Sequence, residues 1–498
     1  MNILALFIII PILTIIGILS TKDHRGTRIV SAIGMGLQLI TSVVLIYMFY
    51  AERNAGNHAD MLFMVDYMWF ESLNIHYLVG VDGISVAMIA LTSVVTFAGV
   101  FASWEVKDLP REFFISLIVL ATGVFGFFIS LDLFTMFLFY EVAVIPMYLL
   151  IGLWGSGPKE YSAMKLTLML MGGSALLLVG LFGIYFNSAP NGGQLTFNIL
   201  EISKITIPME AQRFFFPFTF IGFGILGALF PFHTWSPDGH ASAPTAVSML
   251  HAGVLMKLGG YGCFRVAMFL MPGAAHELAW IFIILTAISV VYGAFGAIWQ
   301  KDLKYINAYS SVSHCGLVLF ALLMMNETAM DGAIIQMISH GLMTALFFAL
   351  IGMIYGRTHT RMINEMGGLM KIMPFLAVCY VIAGLASLGL PGLSGFVAEM
   401  TIFVGAFQHP DTFHRVVTIL ACSSIVVTAV YILRVVGVLL FGPVRNDEFL
   451  KLTDAKWFEK VSTVTLILAV AFIGIVPIWL SDLIRLSLKP ILDQLSSF

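Results

Sequence analysis

The sequence predicts an all-α integral membrane protein of about fourteen transmembrane helices, some of them discontinuous. The 498-residue chain is 59% hydrophobic and 11% charged, and its mean hydropathy is +0.97. Soluble domains carry about 25% charged residues, so this chain has too little polar surface to stay in water. Its apolar runs also follow one another closely, which leaves no room for a soluble domain of about 100–200 residues.

Each predicted span is an apolar run of about 20 residues, the length of a helix that crosses a bilayer. In chain order the runs are 2–21, 27–50, 79–103, 112–131, 132–155, 162–187, 211–231, 244–270, 277–299, 303–325, 328–355, 371–408, 412–440 and 460–482. The first lacks the basic region of a signal peptide and is interpreted as a span. The twelfth is too long for one straight span and is interrupted by the Pro- and Gly-containing stretch 390–395, so it predicts a broken helix.

The distribution of basic residues predicts the orientation of the spans. Of the 25 Lys and Arg residues, 16 fall in or beside the loops after odd-numbered spans, and seven fall on the opposite side. We call these two sides the lysine-rich face and the lysine-poor face. Because cytoplasmic loops carry an excess of Lys and Arg, the lysine-rich face is predicted to be cytoplasmic, with both termini on the outer side.

Several functional classes find no support in the sequence. The net charge of −3 gives no indication of nucleic-acid binding. The four cysteines, Cys263, Cys315, Cys379 and Cys422, lack CxxC spacing and predict neither a metal site nor a disulfide framework. The sequence shows no haem-attachment motif and no Gly-rich nucleotide loop after a strand. We therefore expect no cofactor in this chain, so that any redox chemistry it serves takes place elsewhere.

A proline-broken apolar element occurs twice and indicates an internal repeat. Segment 7 ends at Pro231, and segment 12, five segments further along the chain, breaks at Pro391. Segments an odd number of positions apart cross the membrane in opposite directions, so equivalent elements would be inverted, as in inverted-topology repeats. The alternative is that prolines are simply common in membrane helices. The repeat interpretation divides the chain into an N-terminal three-helix segment, two repeats, and a loop with a last helix, at 1–111, 112–270, 277–441 and 442–498.

Three ionisable residues lie deep in apolar segments. Glu141 is in segment 5, Lys257 in segment 8, and Glu399 follows the break in segment 12. A charged group at a helix centre costs about 2.5–3.5 kcal/mol on insertion scales, so such residues usually have a function. Lys257 with a carboxylate forms a plausible proton-handling unit. The structural alternatives are a neutral, hydrogen-bonded Glu141 and a static buried ion pair at Lys257.

Three histidines accompany these groups. His251 lies in segment 8, His314 in segment 10 and His340 in segment 11. A single buried histidine is more often packed and hydrogen-bonded than part of a relay. Three of them beside Lys257 and Glu141 shift that balance, because histidine carries protons near neutral pH.

Polar groups also occur between and at the ends of spans. The stretch 231–245, between segments 7 and 8, contains His233, Asp238 and His240 together with three prolines. Four further ionisable residues are interpreted as snorkelling or as structural ion pairs: Lys165, Lys304, Asp132 and Arg434. Together with the central groups they predict a polar line through the membrane. Protons suit that line better than sodium, since it offers few oxygen ligands and several nitrogen ones. We expect no metal site in this chain.

Several motifs resemble one known family over essentially the whole chain. They are Gly80–Ser85 with Asp132 and Glu141, Pro231–Trp235 through Ala243–Thr245, Val254–Lys257, Ser310–His314, and Leu390–Phe396 with Glu399. This combination resembles the antiporter-like membrane subunits of respiratory complex I. Glu399 is acidic where sister subunits usually carry lysine.

The resemblance implies fourteen helices with two inverted five-helix repeats and a subunit that moves protons. Glu141, Lys257, Glu399, His314 and His340 match the family's proton-transfer positions. Quinone reduction would occur in other subunits, which hold FMN, iron–sulfur clusters and quinone. The partners implied are other membrane subunits of complex I, neighbouring antiporter-like subunits among them, within the bilayer of a bacterial inner membrane. Two alternatives stay open: a subunit of an Mrp-type multi-subunit cation/proton antiporter, and a structural subunit with impaired pumping.

One departure from the family pattern concerns segment 7. The family has a lysine a few residues before the Pro-x-His-Thr-Trp motif, and this chain has Leu226 there. That lysine is the usual cationic partner of the segment-5 glutamate, here Glu141. We hypothesise that His251 or Lys165 takes over the partner role.

Overall fold

The computed structural model describes residues 2–189 and 192–497, and most of them are helical. A helix satisfies its own backbone hydrogen bonds, which is why apolar runs of this length become helices in a bilayer. Within the described ranges, ten helices are long and apolar enough to cross a membrane. They are α1 (Leu6–Ser20, preceded by a 3₁₀ turn at Ile3–Ala5), α2 (His24–Asn54), α3 (Gly83–Ala102), α4 (Pro110–Ile129), α5 (Leu133–Trp154), α6 (Lys159–Phe186), α12 (Pro272–Trp299), α14 (Glu327–Thr358), α18 (Thr412–Leu440) and α19 (Trp457–Ile475).

The other four predicted spans are interrupted, irregular or more polar. They are α8 (Met209–Leu226) with its continuation α9 (Trp235–Ser242); a helix formed by α10 (Thr245–Leu250), a π turn at His251–Leu255, α11 (Met256–Gly262) and a π turn at Cys263–Met268; α13 (Leu303–Leu322); and the pair α16 (Pro374–Ser387) and α17 (Ser394–Phe407). We call the second of these the Lys257 helix. Short connecting helices are α7 (Ile199–Ile202), α15 (Leu369–Ile372) and the 3₁₀ turns Ile363–Glu365 and Asp447–Lys451. The predicted all-α architecture is confirmed.

A β-hairpin between α2 and α3 is an addition that the sequence reading did not anticipate. Strands β1 (Leu62–Phe70) and β2 (Ile75–Val81) pair antiparallel around a 3₁₀ turn at Glu71–Leu73. The predicted third span began at residue 79, but the helix begins at Gly83, after Asp82 caps it by accepting from the Ser85 N–H at 2.8 Å. The apolar residues just before Asp82 belong to the buried end of β2. The predicted third span therefore included the end of a β-strand as well as the helix α3.

The last predicted span also differs from the structure. It was placed at 460–482, but α19 ends at Ile475, and a separate helix, α20 (Ile478–Ser496), begins after Pro477. Proline lacks the N–H that would continue the helix, which explains the break. Helix α20 packs against α3, where the Ser487 hydroxyl accepts from the Gly83 N–H at 2.8 Å. This helix therefore lies over the lysine-poor end of the bundle.

Side-chain contacts assign the loops to two opposite faces. On the lysine-rich face Lys456 pairs with Glu105 at 2.6 Å, and Arg361 pairs with Asp302 at 3.0 Å. On the lysine-poor face the amide of Asn2 donates to the Phe63 carbonyl of the hairpin at 2.5 Å. Because α20 also lies on the lysine-poor face, both ends of the described chain are on the same side of the bundle.

The inverted repeat is visible in how pairs of helices cross. Two glycines of α4 face two residues of α5, and two glycines of α12 face two residues of α13 with the same spacing. The contacting pairs are Gly123 with Ala143, Gly126 with Phe139, Gly293 with Ser313, and Gly296 with Tyr309. A side chain at any of these glycines would collide with the facing helix, so each pair of helices approaches closely.

The starts of α5 and α13 repeat a second feature. Asp132 caps α5 and forms an isolated β-bridge with Asn198, whereas Asp302 caps α13 and bridges to Met362. The first bridge lies on the lysine-poor face and the second on the lysine-rich face. Equivalent elements on opposite faces are the signature of inverted-topology repeats.

The two predicted helix breaks are both present. Between α8 and α9 the indole N–H of Trp235 donates to the Ile225 carbonyl at 3.0 Å, which satisfies an end of α8. Between α16 and α17 the backbone turns through Gly389 (φ +65°) and Gly392 (φ +91°). Left-handed φ values of this kind favour glycine, so the Pro391-Gly392 break depends on the glycines as much as on the proline.

Candidate functional site

Lys257 lies at the centre of a buried polar line. Its Nζ is 2.6 Å from Nδ1 of His340 on α14 and 2.5 Å from the Ala252 carbonyl. Lys257 is almost completely buried, with only 2% of the residue exposed. The π turn His251–Leu255 immediately precedes it, and π turns often occur at functional sites because they distort the regular hydrogen-bond ladder.

The line continues from His340 to Glu399. The rings of His340 and His314 have centroids 5.2 Å apart, and Nδ1 of His314 is 3.4 Å from a carboxylate oxygen of Glu399. Gln336 contacts His314 from α14, with its Nε2 3.1 Å from Nδ1. These ionisable side chains therefore form one row. They come from four helices: the Lys257 helix, α14, α13 and α17.

Each helix break lies next to one of the ionisable groups. Gly389 sits so close to Glu399 that a β-carbon there would come within 3.0 Å of a carboxylate oxygen. Gly227, at the end of α8, lines a cavity of about 10 Å³ together with Lys257 and Cys315. A volume of this order is about enough for one water molecule. The irregular backbone therefore occurs where it can serve a buried polar group.

A second polar group lies between Lys257 and the lysine-rich face. The rings of His240 and His251 are 4.2 Å apart, and His251 also stacks on Trp235 at 5.1 Å. Within the described part of the chain, the ring nitrogens of both histidines lack a hydrogen-bond partner. Lys304 lies nearby and donates to the Ala243 carbonyl at 2.5 Å. Water or movement of these rings would be needed to link them to Lys257.

At the lysine-rich end of this group, Asp238 binds two side chains. Lys165 pairs with it at 2.6 Å, and the Tyr305 hydroxyl donates to it at 2.9 Å. The predicted structural ion pair of Lys165 is present. His233 sits apart, with its ring edge-on to Tyr292 at 4.9 Å.

Glu141 is the exception among the predicted central residues. It is only partly buried on α5, next to the exposed Ile145, and its Oε1 has no hydrogen-bond partner among residues 2–189 and 192–497. Leu226 is fully buried. The hypothesis that Lys165 pairs with Glu141 is contradicted by its contact with Asp238. His251 packs with His240 and Trp235, and no contact joins it to Glu141 in the described chain.

Two further predicted residues have structural contacts. Asp132 accepts from the Phe134, Thr135 and His76 N–H groups at 2.9–3.2 Å, so it is a helix cap rather than a partner in an ion pair. Arg434 donates to the Ile298 and Gln300 carbonyls, at 2.5 and 3.0 Å, and thereby joins α18 to the end of α12.

The structure also adds polar residues that the sequence reading passed over. Gln336 and Cys315 contact the central histidines, and Tyr305 contacts Asp238. Gln336 is four residues before His340, one helical turn away, and this spacing was a usable signal. A larger omission is the ion pair of Asp82 with Arg265, in which both side chains are almost completely buried.

The fold agrees with comparisons to known proteins. Residues 130–428 match the family model described as NADH:quinone oxidoreductase/Mrp antiporter, transmembrane. The chain belongs to this family. A relative from Rickettsia prowazekii, named NADH-quinone oxidoreductase subunit M, is 34% identical over 98% of this chain and 98% of its own length. The similarity to this relative therefore covers nearly the whole chain, including the residues on either side of 130–428.

Solved structures of the family have the same architecture. A chain of respiratory complex I from Thermus thermophilus, 25% identical, aligns with a TM-score of 0.86 over 99% of this chain and 100% of that chain. A chain of the Mrp complex from Dietzia sp. aligns with a TM-score of 0.83 over 99% of this chain and 97% of that chain. At 19% identity, the second likeness shows the fold alone. The chain is thus a multi-pass membrane protein with the antiporter-like fold.

Proposed function

We propose that this chain is a proton-translocating membrane subunit of an NADH:quinone oxidoreductase. The observation that carries the proposal is the row Lys257, His340, His314 and Glu399, in which neighbouring groups lie close enough for direct or water-bridged transfer. Relatives that align over nearly the whole chain are named subunit M of that enzyme, which supports the choice of complex. The structure of the Thermus complex supports it as well.

In this proposal protons enter from the lysine-rich face, which we assign to the cytoplasm. The His240–His251 pair beside Lys304 receives them and passes them through water to Lys257. Transfer then follows His340 and His314 to Glu399, from which protons leave on the lysine-poor, outer side. Both termini would be periplasmic, and the membrane would be the bacterial inner membrane.

Electron transfer belongs to other subunits in this proposal. FMN, iron–sulfur clusters and quinone would be held by those subunits, and this chain would contribute proton transfer alone. Its partners would be the other membrane subunits, including neighbouring antiporter-like ones. Glu141 is partly exposed on the surface of this chain, a position consistent with an interface inside such a complex.

Membership of an Mrp-type antiporter is the competing function, because that complex contains a chain with the same fold. The two functions differ in their driving force. Proton movement in a quinone reductase depends on electron transfer and is independent of sodium, whereas an antiporter exchanges protons for another cation without electrons. Proton uptake into vesicles, measured with NADH and then with a sodium gradient, separates them.

Glu399→Gln tests the proposed exit. Glutamine keeps the size of the side chain and its contact with His314 but cannot bind and release a proton. We expect the number of protons moved per electron to fall by the number that this chain contributes, while the complex still assembles. Proton uptake and NADH oxidation are measured together in membrane vesicles. Glu365→Gln, in a 3₁₀ turn on the lysine-rich face, is the matched control; equal losses in both variants would contradict the proposed exit.

His251→Ala tests the proposed entry. Alanine removes the ring that lies 4.2 Å from His240, so the step towards Lys257 loses its donor. We expect proton transfer per electron to fall, with His24→Ala, an exposed histidine on the same face, unchanged. Pumping by His251→Ala at the wild-type level would contradict the proposed entry. Leu226→Lys restores the cation that the family has beside Glu141, and a large gain of pumping in this variant would show that the natural chain is weakened there.

A further inference from the structure

Three side chains capable of binding a metal ion meet at the loop between α17 and α18. They are His409, Asp411 and His414, and one ligand atom from each lies within 4.8 Å of those from the other two. In the described ranges this is the one group of three or more His, Cys, Asp and Glu side chains with that geometry. It lies on the lysine-poor face, just past the end of the helix α17 that carries Glu399, and the sequence reading did not identify it.

The two histidine rings are already oriented by their surroundings. Nε2 of His409 is 2.6 Å from the Met324 carbonyl, which can only accept, so we assign the proton to this nitrogen and leave Nδ1 to bind a metal. The Asn326 amide nitrogen, 3.2 Å from Nε2, then donates to the Gly405 carbonyl instead. Metal-binding histidines almost always donate their other N–H to a carbonyl, a carboxylate or water in this way. The ring of His414 lies 4.3 Å from that of His409 and contacts the Asp411 carboxylate at 2.7–2.8 Å.

We propose that His409, Asp411 and His414 form a binding site for a divalent transition metal, with Zn²⁺ as the fitting ion. Two imidazoles and one carboxylate make a common set of zinc ligands, and the exposed side of Asp411 leaves a fourth position for water. Zinc bonds to nitrogen and oxygen are about 2.0–2.2 Å long, so two ligands of one tetrahedral ion lie about 3.4 Å apart. The three ligand atoms, now within 4.8 Å of one another, must reach that spacing, and His414 Nδ1 must move slightly away from the Asp411 carboxylate, which it contacts at 2.7–2.8 Å. The nearly parallel rings tilt towards the ion as they do so.

Zinc at this site would be held entirely by the connection of α17 with α18, and it would fix a histidine ring that contacts a second loop. His409 belongs to the connection of α17 with α18, and its contact with Met324 reaches the connection of α13 with α14. The amide of Asn326 strengthens that link by donating to the Gly405 carbonyl at 3.0 Å. Bound metal would therefore hold the His409 ring in the position from which it contacts the connection of α13 with α14. This inference concerns binding and does not depend on the proposed proton transfer.

The test uses the full chain, purified in detergent without a polyhistidine tag. After incubation with zinc sulfate and dialysis, we expect about one zinc per chain by elemental analysis. X-ray absorption should show only nitrogen and oxygen ligands at about 2.0–2.1 Å. His414→Gln should lose the metal, and Asp411→Asn should bind it at least tenfold more weakly, although asparagine still caps α18. His276→Ala, a histidine on the same face that contacts the Leu495 carbonyl, should bind like the wild type.

Thermal unfolding gives a second measurement. Zinc should raise the unfolding temperature of the wild type and of His276→Ala, because a ligand that binds the folded state stabilises it. The same addition should leave His414→Gln unchanged. Circular dichroism confirms that each variant is folded before zinc is added. Equal zinc content in the wild type and folded His414→Gln, or absorption data showing sulfur ligands, would overturn the site.

Discussion

Replacing Lys257 with methionine should remove proton transfer through this chain. Lys257 contacts His340 on the exit side at 2.6 Å, and it is the group that protons from the His240–His251 pair would reach through water. Methionine fills a similar volume and tolerates the apolar surroundings, but it carries no proton. Loss of a positioned proton-transfer group typically costs about 100-fold or more in rate. Proton uptake per NADH oxidised, measured in vesicles, should fall to the contribution of the remaining membrane subunits.

Lys257→Arg distinguishes a proton carrier from a fixed positive charge. Arginine keeps the positive charge but does not release its proton at accessible pH, so a static charge is retained while proton exchange is lost. Proton transfer should be lost in both Lys257→Met and Lys257→Arg. Lys451→Met removes an exposed lysine of the lysine-rich face and serves as the control. Full pumping by Lys257→Arg would show that the residue acts as a fixed charge and not as a carrier.

The central row was predictable because a bilayer makes ionisable groups costly. Lys257, Glu399, His314 and His340 all stand out in apolar segments, and the structure brings the four together. The sequence could not tell which of them touch. Neighbours in the row come from different helices, and His340 reaches Lys257 across 83 positions of the chain. Hydropathy locates such residues along the chain but contains no information about the face each one presents.

Glu141 shows the limit of carrying over a pattern by position. Its place on α5 was read correctly, but a partner within this chain was expected because the family's segment-7 lysine implied one. Leu226 removes that lysine, and the structure leaves Glu141 partly exposed. The β-hairpin was missed for a different reason. Residues 62–78 lie outside every predicted span, and only the apolar end of β2, from residue 79, was counted with the third span.

The buried ion pair of Asp82 and Arg265 should contribute strongly to the stability of the fold. Arg265 lies on the Lys257 helix, and Asp82 caps α3 just after the hairpin. The side chain of Asp82 is 1% exposed and that of Arg265 is 3% exposed. Both residues line a cavity of about 610 Å³ beneath α20. The Tyr261 hydroxyl, one turn from Lys257, contacts Ser85 at 2.9 Å beside this pair. The pair thus fixes the Lys257 helix to α3 at the lysine-poor end.

Arg265→Met should destabilise the chain by about 3–5 kcal/mol, because it leaves a buried carboxylate without its partner. Asp82→Asn should have a comparable effect through the unpaired arginine, even though asparagine can still cap α3. The double variant removes both charges and should recover much of the loss, since replacing a whole buried pair is often nearly neutral. Unfolding midpoints of the full chain in detergent give the comparison, with the exposed pair Arg213 and Glu277 as the control cycle. Additive effects of Arg265→Met and Asp82→Asn would mean that the two residues stabilise the fold separately, through their other contacts.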